Sequence, residues 1–529
     1  MVFLQKEELF SREIIGAIEK KKVRDKRELN RLKISLCKKF GFREIPRNSV
    51  VLSFSKSPSR SLLSFLSIKP VRTLSGVAVV AAMVKPHKCP GKCIYCPNGI
   101  EEEMPKSYTG LEPASLRALM NGFDPFLQVK SRLGQLEQIG HGTDKIELIV
   151  MGGTFPCTPV SYQKKFVKGC LDAITEKKTR SLESSIAAAE KSSRRVIGIT
   201  FETRPDFCGE KEISRFLSFG GTRVELGVQC PDDSVYKKVH RGHSVKDVVN
   251  ATQLLKDSAF KVCYHLMPGL SGKGIEAELE LFGKVFSSLD FRPDMLKLYP
   301  CLVVKGTRLH RQWLNGKFSP FSNDDAAEFI SEFKRFVPKW VRVMRVQRDI
   351  PAIAIEAGVK KGNLRQLVEE KLKGKGIECN CIRCREAGLS EYLGKKKPLL
   401  GKARLFKEFY SASNGLEAFI SADDRKANAL FGFCRLRFPF KPFRKELGSS
   451  TALVRELHVF SHSLPLGALP LGTDFQHRGL GKKLMDEAEK TALEFGFKKI
   501  AVISGIGARE YYRKFLGYAR KGAFMCKTL

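Results

Sequence analysis

Between residues 76 and 352, short apolar runs of strand character alternate with segments of helical length, and this alternation constrains the fold more than any other feature of the chain. Strands are read at 76–83, 145–151, 195–200, 222–228, 261–266, 295–299 and 342–346. Helical patterns at 115–122, 125–136, 161–174, 181–191, 244–258 and 274–286 lie between them. Parallel neighbours need a long return connection, normally a helix, so the pattern predicts an α/β fold with a parallel sheet. Six or seven such units, with polar motifs just beyond the strand ends, predict a partial (β/α) barrel rather than an open doubly wound sheet.

The first strand leads to Cys89-Pro90-Gly91-Lys92-Cys93-Ile94-Tyr95-Cys96, a C-x3-C-x2-C loop. Three thiolates on so short a loop can hold three irons of a 4Fe-4S cube and leave the fourth iron open to a substrate. Gly91 lets the loop bend, and Tyr95 suits a loop wrapped tightly around a cluster. A partial zinc site is the other use of such a loop, but its usual spacings ask for a second pair of ligands nearby, and Pro97-Asn98-Gly99 offers none. The next strand ends in Met151-Gly152-Gly153-Thr154-Phe155, where paired glycines let backbone groups approach a ligand. Later strand ends carry Thr200-Phe201-Glu202-Thr203-Arg204-Pro205-Asp206 and Glu225-Leu226-Gly227-Val228-Gln229. Charged and amide side chains at such ends line a pocket, which makes Glu202, Arg204 and Gln229 cofactor or substrate candidates. His240-Arg241-Gly242-His243 and Tyr264-His265-Leu266-Met267-Pro268-Gly269 continue the same rim.

A chain of 529 residues exceeds one hydrophobic core, so two to four domains are expected. Its apolar runs fall far short of the ~20 residues that span a bilayer, and no membrane partner is expected. The first eight residues carry acids where a secretory signal has basic residues, which predicts a cytoplasmic protein. Fifteen cysteines fit a reducing compartment, where grouped cysteines are metal ligands more often than disulfides. The net charge of +37 points to a polyanion, nucleic acid first. The excess is concentrated early: the first 72 residues hold 18 Lys and Arg against 7 Asp and Glu. Two helices broken near Lys22-Val23-Arg24-Asp25, then a Pro/Ser-rich stretch at 45–60, predict a basic helical, RNA-gripping extension over 1–70.

Residues 353–398 read as a Lys/Gly-rich linker carrying Cys379-Asn380-Cys381-Ile382-Arg383-Cys384. Three thiols in six residues suit a tetrahedral zinc clip with Cys301 as the fourth ligand; a second iron–sulfur cluster or uncoordinated thiols fit the same residues. Residues 399–529 form a separate α/β unit with strands at 403–410, 418–420, 430–436, 454–459 and 499–503. Its motif Gln476-His477-Arg478-Gly479-Leu480-Gly481-Lys482 opens a helix, and a Q-x-x-G-x-G turn there leaves backbone N–H groups and a positive dipole end for a pyrophosphate. Glu456 and His458 lie two apart on one strand and share a face.

The cysteine spacing and the Gly-Gly motif one strand later resemble the radical S-adenosyl-L-methionine (SAM) enzymes. That resemblance implies a partial barrel over 71–352, a 4Fe-4S cluster on Cys89, Cys93 and Cys96, and an electron donor. It also implies SAM held by Gly152, Gly153 and Thr154, with Glu202, Arg204 and Gln229 beside it. The helix motif, its flanking strands and Arg509-Glu510-Tyr511-Tyr512-Arg513-Lys514 resemble the GNAT-type acetyltransferases, which bind acetyl-CoA at a splayed central strand. The strings Lys85-Pro86-His87, Ser107-Tyr108-Thr109-Gly110, Arg241-Gly242-His243 and Arg345-Val346-Gln347-Arg348-Asp349-Ile350-Pro351 narrow the resemblance to the catalytic subunits of Elongator, from about residue 70 to the C-terminus. It implies that acetyl-CoA is bound by Lys145, by Glu456, Leu457, His458 and Val459, by Gln476, Gly479, Leu480, Gly481 and Lys482, and by Tyr511 and Tyr512. Lys145, Glu456, His458 and Tyr512 are then the catalytic candidates. One extra residue follows the tyrosine pair relative to the family pattern. The implied reaction is tRNA wobble-uridine modification, in which a 5′-deoxyadenosyl radical serves to add an acetyl-CoA-derived carboxymethyl group to carbon-5. Other Elongator subunits are expected only of a eukaryotic member, and the extra cysteine loop leans to a microbial protein acting alone. The alternative is a histone-type lysine acetyltransferase with an accessory radical SAM domain, a substrate that the net charge opposes.

Overall fold

In the first half of the chain, alternate strand residues are apolar and buried against helices, while their neighbours point into a lumen. Ile146, Leu148 and Val150 are fully buried outward positions, as are Val224, Leu226 and Val228. Lys145, Glu147, Arg223 and Glu225 occupy the inward ones, as the period of two along a strand requires. The computed structural model describes residues 2–55, 58–69, 73–97, 103–394, 398–460 and 479–529. Within it the seven expected strands are β1 (Ala78–Met83), β2 (Lys145–Met151), β3 (Arg195–Thr203), β4 (Arg223–Gln229), β5 (Lys261–Leu266), β6 (Met295–Leu298) and β7 (Arg342–Arg345). They pair in sequence order and all in parallel, so the sheet is a partial barrel with helices outside. Phe155, Phe201 and Phe216 stack at 5.6 and 4.6 Å in its outer core.

The basic N-terminal residues form a helical unit with a small core of their own. Asp25 ends the break between Val2–Glu19 and Lys26–Phe40 by accepting hydrogen bonds from the amides of Arg27 and Glu28. The Pro/Ser-rich stretch at 45–60 contains the helix Asn48–Ser53, and Arg60–Leu66 follows. The reason is burial: Val51, Leu52, Leu62 and Leu66 close over Phe10, Ile14 and Leu36. The unit is tied to the barrel where the Ser67 hydroxyl donates to the Gly140 carbonyl at 3.0 Å.

The segment expected as a linker is also folded. The helix Leu364–Gly374 sinks Leu364, Val368 and Leu372 into the barrel's core, and Lys375 pairs with Glu332 of the helix Asn323–Phe333 at 2.6 Å. Lys373 and Gly374 lie on the exposed face of this amphipathic helix.

The C-terminal sheet comprises β8 (Arg404–Ala412), β9 (Gly415–Asp424), β10 (Ala429–Phe438), β11 (Thr451–Val459), β12 (Lys499–Val502), β13 (Ala519–Lys521) and β14 (Phe524–Thr528), in the order β8-β9-β10-β11-β12-β14-β13. Its terminal hairpin was not foreseen, because β13 is an exposed Ala-Arg-Lys triplet with no apolar alternation. This sheet closes on the barrel through backbone as well as side chains. A β-carbon on Gly505 would collide with the Ile197 carbonyl, and one on Gly507 would lie 2.8 Å from Arg195 Cα, so these glycines are required by close approach. Around them Arg435, Arg437, Arg455 and Glu417 meet Lys256, Asp257 and Asp294 of the barrel in a fully buried ion network. Trp340 stacks on Tyr410 at 4.0 Å at the same junction. Among the described residues no helix is long and apolar enough to cross a membrane.

Candidate active sites

The cysteine loop lies across the carboxyl ends of the barrel strands. It is pinned there by the Ile94 amide donating to the Val239 carbonyl at 3.1 Å and by the Leu309 amide donating to the Ile94 carbonyl at 2.9 Å. Cys89 Sγ is 3.9 Å from Thr154 Oγ1, Cys93 Sγ 3.4 Å from Arg241 Nη1, and Cys96 Sγ 3.1 Å from Ser107 Oγ. A hydrogen bond from Cys96 and the Arg241 charge hold the Cys93 thiol below its ordinary range against burial, and sharing that proton holds Cys96 above its own. The three sulfurs are not all within 4.8 Å of one another. One tetrahedral ion with metal–sulfur bonds of about 2.3 Å would draw thiolates to about 3.8 Å apart. A cube binds each thiolate at a separate corner iron, so the wider spread and the buried cation beside it fit a 4Fe-4S cluster.

Gly152 and Gly153 have φ of +119° and +78°, and a β-carbon on Gly152 would stand 2.6 Å from Val84 Cγ2. Their turn carries Thr154 to the cysteine loop, where its carbonyl contacts His87 Nε2 at 3.1 Å. Arg204 uses Nε and Nη2 on Asp206, at 2.9 and 2.8 Å, while its Nη1 is buried without a hydrogen-bond partner and faces Gly91. Glu202 accepts a hydrogen bond from the Tyr108 hydroxyl at 2.9 Å. Gln229, at φ +70°, packs with Arg241 around Gly227. Arg241 and Tyr108 were not singled out as site residues from the sequence, although both stand in strings that carried the family resemblance.

The second site forms where the C-terminal sheet splays. Pairing of β11 with β12 runs from Thr451–Lys499 to Val454–Val502 and stops, so residues 456–459 keep only β10 as a neighbour. Glu456, Leu457, His458 and Val459 line a cavity of about 450 Å³ together with Tyr511, Tyr512 and, from the barrel, Lys145. Gly479, at φ +76°, turns the chain into the helix Leu480–Glu494. A β-carbon on Gly481 would be 3.0 Å from the Tyr511 hydroxyl and 3.8 Å from Val459, so this helix start lies against the opened strand. Leu480 is buried in the sheet's core and Lys482 is exposed. Gln476 lies outside the described residues.

Electrostatics separates the groups of this cavity. Arg435 Nε donates to Glu456 at 2.8 Å, and its charge, with that of Lys261, holds the Glu456 carboxyl below the usual range although burial opposes it. Burial lowers the His458 imidazole more than the Glu456 charge raises it. Burial also lowers the Lys145 ammonium and pushes the Tyr512 phenol up.

Between the two ends the lumen is charged, which sequence reading missed. Arg223 pairs with Glu147 and, at 3.2 Å, with Glu225; Lys297 pairs with Glu225 and, at 3.8 Å, with Glu202; His265 Nε2 is 2.7 Å from Glu225. The signal was available as Arg223 and Glu225 at alternate positions of an otherwise apolar strand.

Cys379, Cys381 and Cys384 bring their sulfurs within 4.8 Å of one another, with the buried Lys334 ammonium 3.6 Å from Cys384. Cys301, expected as their fourth partner, is not in this group. Its amide is held by the Pro268 carbonyl at 2.7 Å, and burial raises its thiol with Glu278, not the other cysteines, as the charged neighbour.

Residues 7–74 match the ELP3 N-terminal domain, 83–282 the Radical SAM superfamily, 293–374 the Radical_SAM C-terminal domain and 391–518 the Acetyltransferase (GNAT) family. The chain is 51% identical over 490 residues to a tRNA uridine(34) acetyltransferase of Methanocaldococcus infernus, covering 92% of each. It is 42% identical over 514 residues to Elongator complex protein 3 of Homo sapiens, covering 95% of this chain and 93% of that one. The solved structure of the archaeal Methanocaldococcus infernus Elp3 with an N-terminal deletion superimposes with a TM-score of 0.77 at 48% identity, over 86% of this chain and all of that one.

Proposed function

The chain belongs to the family of the tRNA uridine(34) acetyltransferases and Elongator complex protein 3, and from that premise we propose that it modifies uridine 34 of tRNA with a carboxymethyl group derived from acetyl-CoA. The observation that carries this reading is the shared cavity, in which Lys145 and Glu147 of a radical SAM barrel face Glu456, His458 and Tyr512 of an acetyltransferase sheet. An acetyltransferase acting alone has no use for an opening into a barrel lumen.

Cys89, Cys93 and Cys96 would hold the 4Fe-4S cluster, and Gly152, Gly153, Glu202 and Gln229 would hold SAM. Bound together, those groups supply a carbon radical able to take a hydrogen atom from an unactivated methyl group, once an external donor has given an electron. Around them Arg241 balances thiolate charge, and Arg204 Nη1 offers a buried donor to an incoming carboxylate or ribose. Tyr108 and Lys297 fix the Glu202 carboxylate in one orientation.

At the other end, amides of the helix start after Gly479 would take the pyrophosphate of acetyl-CoA, with Lys482 at its edge and Leu457, Val459 and Tyr511 along the opened strand. Hydrolysis of the thioester by water yields acetate and free CoA. His458 is the base we assign: its imidazole is held below its ordinary value and so is neutral at physiological pH, whereas the Glu456 carboxylate is engaged by Arg435. Lys145 would polarise the acetyl carbonyl, the Tyr512 hydroxyl would donate a hydrogen bond to the departing sulfur, and His458 would return its proton to the thiolate. Because its imidazole is held below the ordinary value, the acid limb of CoA release should lie below about pH 6.5. His458→Ala should remove that limb and slow CoA release by roughly a hundredfold or more, measured by thiol titration. A limb above neutrality would reassign the base.

The basic N-terminal helices would grip tRNA, with the anticodon base unstacked to reach the barrel mouth, and the enzyme would work alone in the cytoplasm. We assign zinc to Cys379, Cys381 and Cys384, whose close sulfurs suit one ion. Anaerobically purified protein should contain about one zinc per chain, and Cys381→Ser should lose it while retaining iron, both read by elemental analysis.

The deciding experiment gives reconstituted protein SAM, a reductant, tRNA and acetyl-CoA labelled in its methyl carbon, and analyses the digested nucleosides by mass spectrometry. Label in 5-carboxymethyluridine supports the reading. SAM cleavage with no label in RNA overturns it, and acetylated lysine in an added peptide would support protein acetylation instead.

A further inference from the structure

We propose that the barrel lumen contains a binding site for a small carboxylate at Arg223, through which acetate passes from the acetyltransferase end to the radical end without leaving the protein. The inference rests on the function proposed above and deepens it. That function separates two chemistries: thioester cleavage at the splayed strand, and hydrogen abstraction at the cysteine loop on the far side of the barrel. Acetate released to solvent would be diluted beyond use, so a protected path has a clear purpose.

The cavity that holds Glu456 and His458 continues into the barrel, where Arg223 and Lys261 line it. Seven of its lining residues are Lys or Arg and three are Glu, with Asp294, Glu417 and Glu225 behind them pairing Arg435, Arg455 and Arg223. Arg223 is only 3% exposed, yet its Nη2 has no hydrogen-bond partner among the described residues, its other end being used on Glu147 and Glu225. Arg435 Nη1, lining the same cavity, is likewise buried without a hydrogen-bond acceptor, the Asp294 carboxylate standing 3.7 Å away. Buried guanidinium N–H groups are normally satisfied, and two without an acceptor on residues that line one cavity point to an acceptor bound there. Beyond Arg223 the path is laid in charge: Lys297 bridges Glu225 and Glu202, and Glu202 touches Tyr108 at the barrel mouth.

The test uses full-length protein loaded with its cluster and equilibrium dialysis against radiolabelled acetate, with inorganic phosphate as the competing anion. Wild type should bind one acetate per chain, and phosphate should displace it poorly. Arg223→Lys keeps a cation beside Glu147 but loses the second guanidinium nitrogen, and should weaken acetate binding by about tenfold. In the labelled-acetyl reaction it should also raise the ratio of acetate escaping to solvent over labelled uridine by roughly fivefold or more, a partition that general loss of stability would not move. If Arg223→Lys does not fold, the Arg223→Gln, Glu147→Gln pair removes the same donor without leaving an unpaired buried charge. Acetate binding equal to wild type in these variants overturns the inference. So does displacement by phosphate as effective as by acetate, which would make the site one for the phosphates of CoA. Failure of wild type to label uridine would count against the proposed function, while the dialysis result would still decide Arg223.

Discussion

Replacing Cys93 with alanine is expected to abolish uridine labelling, by at least about a thousandfold, equivalent to roughly 4 kcal/mol of lost transition-state stabilisation. Cys93 is the most enclosed of the three loop cysteines, its sulfur lying 3.4 Å from Arg241 Nη1 and 4.0 Å from the Arg241 carbonyl. Alanine there removes one of the three proposed cluster ligands and leaves the Arg241 guanidinium buried beside an apolar methyl group. Iron content should fall from about four atoms per chain towards zero, and SAM cleavage should go with it. Cys157 provides the control. It lies near Cys89, but burial pushes its thiol up to about 12, so it is a poor thiolate donor, and Cys157→Ala should keep its iron. Labelled uridine made by Cys93→Ala, or loss of iron from Cys157→Ala, would show that the cluster is held elsewhere.

The second large effect is structural. Asp294 accepts from both terminal nitrogens of Arg455, at 2.7 and 2.5 Å, and from the Val262 amide at 2.8 Å, and lies 3.7 Å from both Lys256 and Arg435. Asp294→Ala leaves Arg455 and Lys256 to share Glu417 and leaves Arg435 with Glu456 alone, and should destabilise the junction by about 3–5 kcal/mol in denaturant unfolding. Separation of the barrel from the acetyltransferase sheet under limited proteolysis should accompany it. The pH dependence follows. Although burial opposes it, the Arg455, Lys256 and Arg435 charges hold the Asp294 carboxyl far below its ordinary value. The stabilisation is therefore complete above about pH 4 and is lost as pH falls below that, when the folded state must take up the proton. A destabilisation under about 1 kcal/mol, or a junction indifferent to acid, would show that the apolar and glycine contacts suffice alone.

The fold class was legible because it depends on short-range pattern. Val, Ile and Leu at alternate positions in β2 and β4 can only be outward faces of a covered sheet, and the helical segments between them dictate parallel pairing. The small helix Glu210–Ser218 and the packed helix Leu364–Gly374 were not read, since strong local charge on each masks one buried apolar face. Motif loops were legible for a similar reason: three cysteines within eight residues, and a Gly-Gly turn, act through backbone geometry that the local chain sets by itself.

What lay beyond the sequence was every property that depends on residues distant in the chain meeting in space. Arg223, Glu225 and Lys297 read as isolated charges until the barrel's curvature turns them inward, where low dielectric and mutual pairing make them one system. Cys301 looked like a fourth ligand by number, but the loop after β6 commits it to Pro268 and away from the three clustered thiols. The chain order of strands, the ligand loops and the basic extension were determined by sequence alone, because local sterics, periodicity and charge suffice for them. Which charges are buried together, and that two catalytic domains open on one cavity, was decided only by tertiary structure, because desolvation and close approach act between surfaces that sequence distance does not relate.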